Sequence, residues 1–385
     1  MGVAGVALPL PWRGDDVGRG DQALAAAAAA RAPGAPSSRR DTWKQRLRAA
    51  FRPVNCPDVD RSLDDSSYQG PLIDTHMHIA ALPDSPPGEP IEGDGVHPIL
   101  GVNIRMTDLV CMMDSDPGGT TKVFGFFPVW EPITPYLLKI VKRTMQKYPD
   151  RFVPFLMPPD GDNDPGGFPT VDAGTLAEML EVYPGLFQGY GEIGLYARQG
   201  GAAELPPDSP RLRAIYPVVK THGLVVYVHL GAGQRESFER VLEQNPDIDF
   251  IWHGDQLVSY EEDGQNLEAL EEILSEHPNA YYGVDELYGD VWLLRPEVGQ
   301  DAFLAHFADY EPLLEEDLAT WKGFIERHPD QVLWGSDRGA TAVWTVSPEV
   351  ASTLSTYVRA FIGRLDPSVR EKFAYKNAEG LLSGG

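Results

Sequence analysis

Cysteine is nearly absent from this chain. There are two, Cys56 and Cys111, too few to read a disulfide framework from, and Cys111, inside TDLVCMMD, reads as a small apolar residue on a helix. Basic charge is also scarce: 32 Lys and Arg stand against 57 Asp and Glu, a formal net charge of −25, with no Lys/Arg stripe. Such a surface repels phosphates, which argues against a nucleic-acid or membrane partner; the acidity itself reads as a solvated exterior. No apolar run approaches the length of a membrane-spanning helix. No glycine-rich phosphate loop follows an early strand, which weighs against a nucleotide-binding doubly wound sheet.

What is present is enough for a large core. The chain has 385 residues, 42% of them hydrophobic, which allows one large domain or two ordinary ones. Residues 1–70 differ from the rest. The stretch ALAAAAAARAPGAPSSRR (Ala23 to Arg40) is rich in Ala and Pro, and residues 1–70 are expected to form a low-complexity, partly disordered extension. DTWKQRLRAAF (Asp41 to Phe51) reads as a short basic helix capped by Asp41. Acidic residues precede the alanine run, which makes it a poor secretory signal. SRRDTWK resembles a twin-arginine export signal, but the QRLRAAFRPVN that follows is no apolar segment. The expected location is therefore the cytoplasm.

Past residue 70, PLIDTHMHIAAL (Pro71 to Leu82) places two histidines two residues apart in an apolar run. Strand side chains alternate faces. His76 and His78 are thus expected on one face with Asp74 below them, and Ile73, Thr75 and Met77 on the other. Two imidazoles on one face make half of a metal site; two hydrogen-bonded core histidines would look the same.

One punctuation then recurs. A helical stretch ends in a Pro- or Gly-containing turn and a β-rich apolar run follows, as in QKYPDRFVPFLMP, EVYPGLFQGYGEIGLY, KTHGLVVYVHLG, EQNPDIDFIWHGD, SEHPNAYYGVDEL and ERHPDQVLWGSDRG. Proline stops the helix and drives the residue before it toward extended geometry; glycine supplies a left-handed cap. Between these runs, TPYLLKIVKRTMQKY (Thr134 as cap, before Pro135), SPRLRAIYPVVKT (Ser209, with Pro217 as a kink), NLEALEEILSEH and EDLATWKGFIERH are amphipathic or helix-like. Counting DSDPGGTTKVFGFFPVW and the opening strand, eight strand candidates each precede a helix candidate. Alternating strands and helices imply a parallel sheet, and eight units imply an α/β fold of the (β/α)8 TIM-barrel type over residues 71–385. An open doubly wound sheet is the alternative.

In such barrels the site lies at the C-terminal ends of the strands. Those ends hold His76 and His78, Glu192, His229, His253, Asp285 with Glu286, and Asp337. Scattered core histidines would not fall at equivalent places in different units, so the joint pattern points to a metal.

On DTHMHI, GEIGLY, His229, His253 and the Asp of GSDRG, the chain from about Leu72 to Leu382 resembles the amidohydrolase superfamily, in its amidohydrolase-related branch. YKNAEGLL (Tyr375 to Leu382) resembles that branch's closing helix. The resemblance implies a divalent metal, commonly zinc, held by His76, His78, His229 and Asp337. It makes His253 a further ligand or an orienting group, and Asp337 the acceptor of a proton from a metal-activated water. Glu192 is expected beside the metal, with one ion favoured; in some branches this position bridges two. The implied reaction is hydrolysis of an ester, lactone or amide bond in a small carbonyl substrate. A nonhydrolytic metal-dependent decarboxylase is the alternative. A deoxyribonuclease fits less well, given the charge and GSDRG in place of an acidic pair, and an inactive binding barrel would need a missing ligand.

Arg338, next to Asp337, is a candidate partner for a substrate carboxylate, with a surface salt bridge as the competing reading, and Tyr196 is a candidate pocket wall. The Pro/Gly-rich stretch Leu82 to Gly101 is a candidate lid. His222, His277 and His328 sit at helix ends, where a cation suits the dipole; His97 and His306 receive no role. A homo-oligomer is compatible with the sequence.

Overall fold

The computed structural model describes residues 47–57, 62–79, 96–97, 101–102, 105–116, 118–129, 134–162, 164–197, 201–254, 267–285, 287, 298–339 and 343–383. Eight parallel strands follow one another around a single sheet: β1 (Ile73–His78), β2 (Lys122–Pro128), β3 (Phe152–Met157), β4 (Gly189–Gly194), β5 (Val225–His229), β6 (Phe250–Trp252), β7 (Ala280–Val284) and β8 (Val332–Trp334). Each pairs with the next in sequence, which is the expected barrel. A two-stranded antiparallel pair, Val96–His97 with Gly101–Val102, lies apart from it.

Helices fill the crossovers as the punctuation predicted: α1 (Met106–Ser115), α2 (Thr134–Lys147), α3 (Ala173–Val182), α4 (Pro210–Thr221), α5 (Arg235–Gln244) and α6 (Leu267–Glu276). Shorter helical pieces run from Gln300 to Arg327, and α7 (Pro348–Arg364) and α8 (Asn377–Ser383) complete the chain. Local chemistry sets several starts. Asp172 accepts from Gly174 N and Thr175 N ahead of α3, and Ser209 and Ser347 accept from Leu212 N and Val350 N, each just before a proline. Thr134, expected as a cap, is already the first residue of α2. Among the described residues no helix is long and apolar enough to cross a membrane.

The barrel interior is packed by Ile73, Phe124, Phe126, Val153, Phe155, Val225, Tyr227, Ile251 and Leu333, joined by Ala378 and Leu381 of α8. Asn377 fixes α8 by donating from Nδ2 to the carbonyls of Pro329 and Val332. A second, larger cluster, including Leu72, Met77 and Ile79 of the first strand region, packs against the surrounding helices.

The seam between β1 and β8 carries no continuous ladder. It is closed by His78 N donating to Arg338 O (2.9 Å), Thr75 Oγ1 to Trp334 O (2.8 Å) and Ser336 N to Asp74 Oδ1 (3.0 Å). Here the structure corrects the simple alternation expected for the first strand. The register shifts between Asp74 and Met77, so Ile73 and not Asp74 joins the interior with His76. Asp74 turns to the seam.

Of the expected extension 1–70, residues 1–46, including Asp41, lie outside the described residues. Residues 47–57 pack on α1 and α2: Ala50 O accepts from Met106 N, Arg52 O accepts from Thr107 Oγ1, and Phe51 is buried beneath Arg143 and Lys147. Cys56 is joined to Cys111, with Cα atoms 5.4 Å apart. The reading of Cys111 as only a small apolar residue is corrected by a partner 55 positions away.

Candidate metal centre

Parallel strands deliver their last residues to one rim, and that rim gathers most of the expected side chains. His76 Nε2 and His78 Nε2 lie 3.3 and 3.1 Å from Asp337 Oδ1, and 3.5 and 3.2 Å from Glu192 Oε2. A tetrahedral zinc site with bonds of about 2.0–2.1 Å requires its donors to stand about 3.3 Å apart. The four imidazole–carboxylate distances fall close to that spacing. His76 Nε2 and Asp337 Oδ1 are also buried with no hydrogen-bond partner, a costly condition that a cation between them relieves. The residues present therefore fit a divalent ion.

The other oxygen of Glu192 faces a second group. Oε1 is 2.7 Å from His229 Nδ1 and 3.9 Å from His253 Nε2. His253 Nε2 lies 3.7 Å from Asp337 Oδ2. Two donor clusters result, His76–His78–Asp337 and His76–Glu192–His253. His229, expected among the ligands, places Nδ1 against Glu192 Oε1, and Glu192, expected beside the metal, stands within 3.5 Å of both His76 and His78.

Electrostatics inside the cluster is strong. Burial pulls His76 down, but the carboxylates of Asp337 and Asp285 outweigh it and raise the imidazole to about 10. Burial likewise opposes, and Asp337 and Glu192 overcome, the shift that raises His78. Burial pushes Asp337 and Glu192 up, yet the surrounding imidazoles hold both well below the usual carboxylate range.

The backbone is shaped for this arrangement. Asp337 has φ 44°, in the left-handed region that non-glycine residues rarely occupy; strain of this kind clusters at functional sites. Gly191, with φ 124°, lets β4 approach β5 just before Glu192, where a Cβ would strike Tyr227 O.

Arg338 is not at an exposed rim. It is 1% exposed, donates from Nη2 to Asp74 Oδ2 (3.2 Å) and from Nε to Ser336 Oγ (2.9 Å), so its partner is internal, where the sequence suggested a substrate carboxylate or a surface salt bridge. Tyr196 packs its ring on His229, centroids 4.4 Å apart, which keeps it beside the site. Most of the candidate lid, Leu82 to Gly101, and Glu286 lie outside the described residues.

Two contributors received no role from the sequence. Tyr227 sits two residues before His229, and its hydroxyl donates to Asp285 Oδ2 (2.8 Å). Asp285 stands at the end of β7 as Asp337 does beyond β8, and that equivalence was the available signal.

The family model described as amidohydrolase matches residues 73–383, most of the chain and all of the described barrel. The chain belongs to the amidohydrolase family. Solved structures similar to this amidohydrolase include one from Burkholderia multivorans, itself described as an amidohydrolase, at 16% identity over 81% of this chain and 99% of that one, TM-score 0.48. A 2,6-dihydroxybenzoate decarboxylase from Rhizobium is similar at 18% identity over 81% and 98%, TM-score 0.38. An N-acetyl-D-glucosamine-6-phosphate deacetylase from Mycobacterium smegmatis is similar at 12% over 81% and 77%, TM-score 0.46. The comparison with curated proteins gave no match.

Proposed function

We propose that this amidohydrolase is a zinc-dependent hydrolase of an ester, lactone or amide bond in a small carbonyl substrate. The observation that carries the reading is Asp337. One of its oxygens stands among the donors of His76 and His78 and the other faces His253, 3.7 Å away. A zinc ion held by His76, His78 and Asp337, with Glu192 beside it, would keep one position open and would supply Lewis acidity, polarising a carbonyl and lowering the pKa of water. Asp337 Oδ2, the oxygen turned toward His253, accepts the proton of the attacking water and returns it to the leaving group. His253 Nε2, beside that oxygen, donates to the carbonyl oxygen as negative charge develops there. Tyr196, packed on His229, walls the substrate side.

Glu192 supports a second reading of the cofactor. Its two oxygens address different imidazole groups, so it could be shared between two ions, the second held with His229 and His253.

The test is an assay of the zinc-loaded chain against p-nitrophenyl esters, lactones and N-acyl amides in H₂¹⁸O, with aryl carboxylates alongside. Hydrolysis that places one ¹⁸O in the acid product, and falls by about 10²-fold or more in Asp337→Asn, supports the proposal. Carbon-dioxide release from the aryl carboxylates without hydrolysis would replace it with the decarboxylase reading.

A further inference from the structure

Behind the donors, on the side away from the carboxylates, lies one buried group that the chemistry above does not use. Asp285 is 1% exposed. Its Oδ2 lies 3.3 Å from His76 Nδ1 and 3.7 Å from His253 Nδ1, while the Nε2 atoms of the same two rings face Glu192 and Asp337. One carboxylate oxygen thus backs two imidazoles carried by different strands.

We propose that Asp285 is the positioning residue of the metal centre: it faces the Nδ1–H side of both rings, which leaves His76 Nε2 free to bind the metal and aims His253 Nε2 at Asp337. The proposal rests on the zinc reading above and goes beyond its ligand set. A neutral imidazole carries one proton on two nitrogens, and the hydrogen bond made by one decides what the other can do. A carboxylate behind a metal-binding histidine fixes tautomer and ring orientation and makes the ligand nitrogen more basic. Asp285 stands 3.3 Å behind His76 and 3.7 Å from His253, so one carboxylate sets the charge behind both rings.

The surroundings hold Asp285 in that pose. Tyr227 donates its hydroxyl to the same oxygen at 2.8 Å and lies 3.3 Å from His76 Nδ1, and Gly254 N is 3.4 Å from it. The other oxygen, Oδ1, is buried with no hydrogen-bond partner. It lies against Gly335, where a Cβ would collide with it and would sit 2.7 Å from His76 Cβ. Gly335 therefore leaves the room that Asp285 occupies, two residues before Asp337.

The experiment measures zinc affinity of the full-length chain by competition with a chromophoric chelator, in wild type, Asp285→Asn and Tyr227→Phe. Asparagine keeps the size but turns a pure acceptor into a group that also donates. The expected result is a chain that folds with an unchanged metal-free circular-dichroism spectrum and binds zinc about 10–100-fold more weakly. The d–d spectrum of the cobalt-loaded form should shift, because the rings no longer present the same nitrogens. Tyr227→Phe should weaken binding in the same direction by a smaller factor, which keeps the proposal testable if Asp285→Asn fails to fold. A purely structural role would lower stability without moving zinc affinity. Equal zinc affinity in wild type and both folded variants overturns the proposal and leaves the zinc reading intact; a wild type that takes up no zinc overturns the zinc reading itself, and the proposal with it.

Discussion

Arg338 and Asp74, 264 positions apart in sequence, form a buried ion pair across the seam that closes the barrel. Their side chains are 1% and 0% exposed. Asp74 Oδ1 also accepts from the backbone of His76 and of Ser336, and its Oδ2 from Ser336 Oγ. One carboxylate thereby ties the strand that carries His76 and His78 to the two residues flanking Asp337.

Breaking one side of this pair leaves a charge buried alone, and that cost exceeds the value of the pair itself. Arg338→Met is expected to lower stability by about 3–5 kcal/mol, read from urea unfolding. The double variant Asp74→Asn with Arg338→Met should lose clearly less than the sum of the single changes. Strict additivity would show that the two residues do not act on one another.

Asp116 extends the same buried region and predicts a pH effect. Burial pushes its carboxyl up to about 7, helped by Asp74 and opposed by Arg338, Arg359 and Arg151. The folded value lies above the ordinary carboxylate value, so the stability it contributes is fully present below about pH 4 and is lost as pH rises to about 7. Asp116→Asn has no such loss. Relative to wild type it should gain stability progressively across that window, by on the order of 4 kcal/mol at most, measured as the difference in urea midpoints from pH 4 to pH 8. A constant difference across the window would contradict the assignment.

The Cys56–Cys111 bond clasps the segment carrying Phe51 to α1. Denatured, unreduced protein should show no titratable thiol, and reduced protein two. Cys56→Ser should lower stability by roughly 2–4 kcal/mol. Two free thiols in protein isolated without reductant would refute the bond. A bond that persists belongs with an oxidising compartment, so the same titration bears on the cytoplasmic expectation.

Much of this architecture is legible in sequence because it is local. Turns such as YPDRF and HPDQV end helices by backbone sterics, and the β-rich runs that follow need no distant information to be recognised. The ends of those runs then name His76, His78, Glu192, His229, His253 and Asp337 before any geometry is known. What was not legible depends on partners far away in the chain. Simple alternation placed Asp74 beneath the histidines, but the seam draws it to Ser336 and Arg338 through a register shift. Arg338, adjacent to a ligand, looked like a substrate contact because its partner comes from the first strand. Likewise the contact of His229 Nδ1 with Glu192 rests on a choice between two ring nitrogens that spacing does not encode.

The central claim is that His76, His78 and Asp337, with Glu192 beside them, hold a divalent ion, and elemental analysis of zinc-equilibrated, desalted protein tests it most directly. Wild type should carry at least one zinc per chain, a ratio of two indicating that Glu192 is shared, and folded His76→Ala, which removes the nitrogen common to both donor clusters, should carry essentially none. Wild type without zinc, or His76→Ala with as much zinc as wild type, would contradict the account.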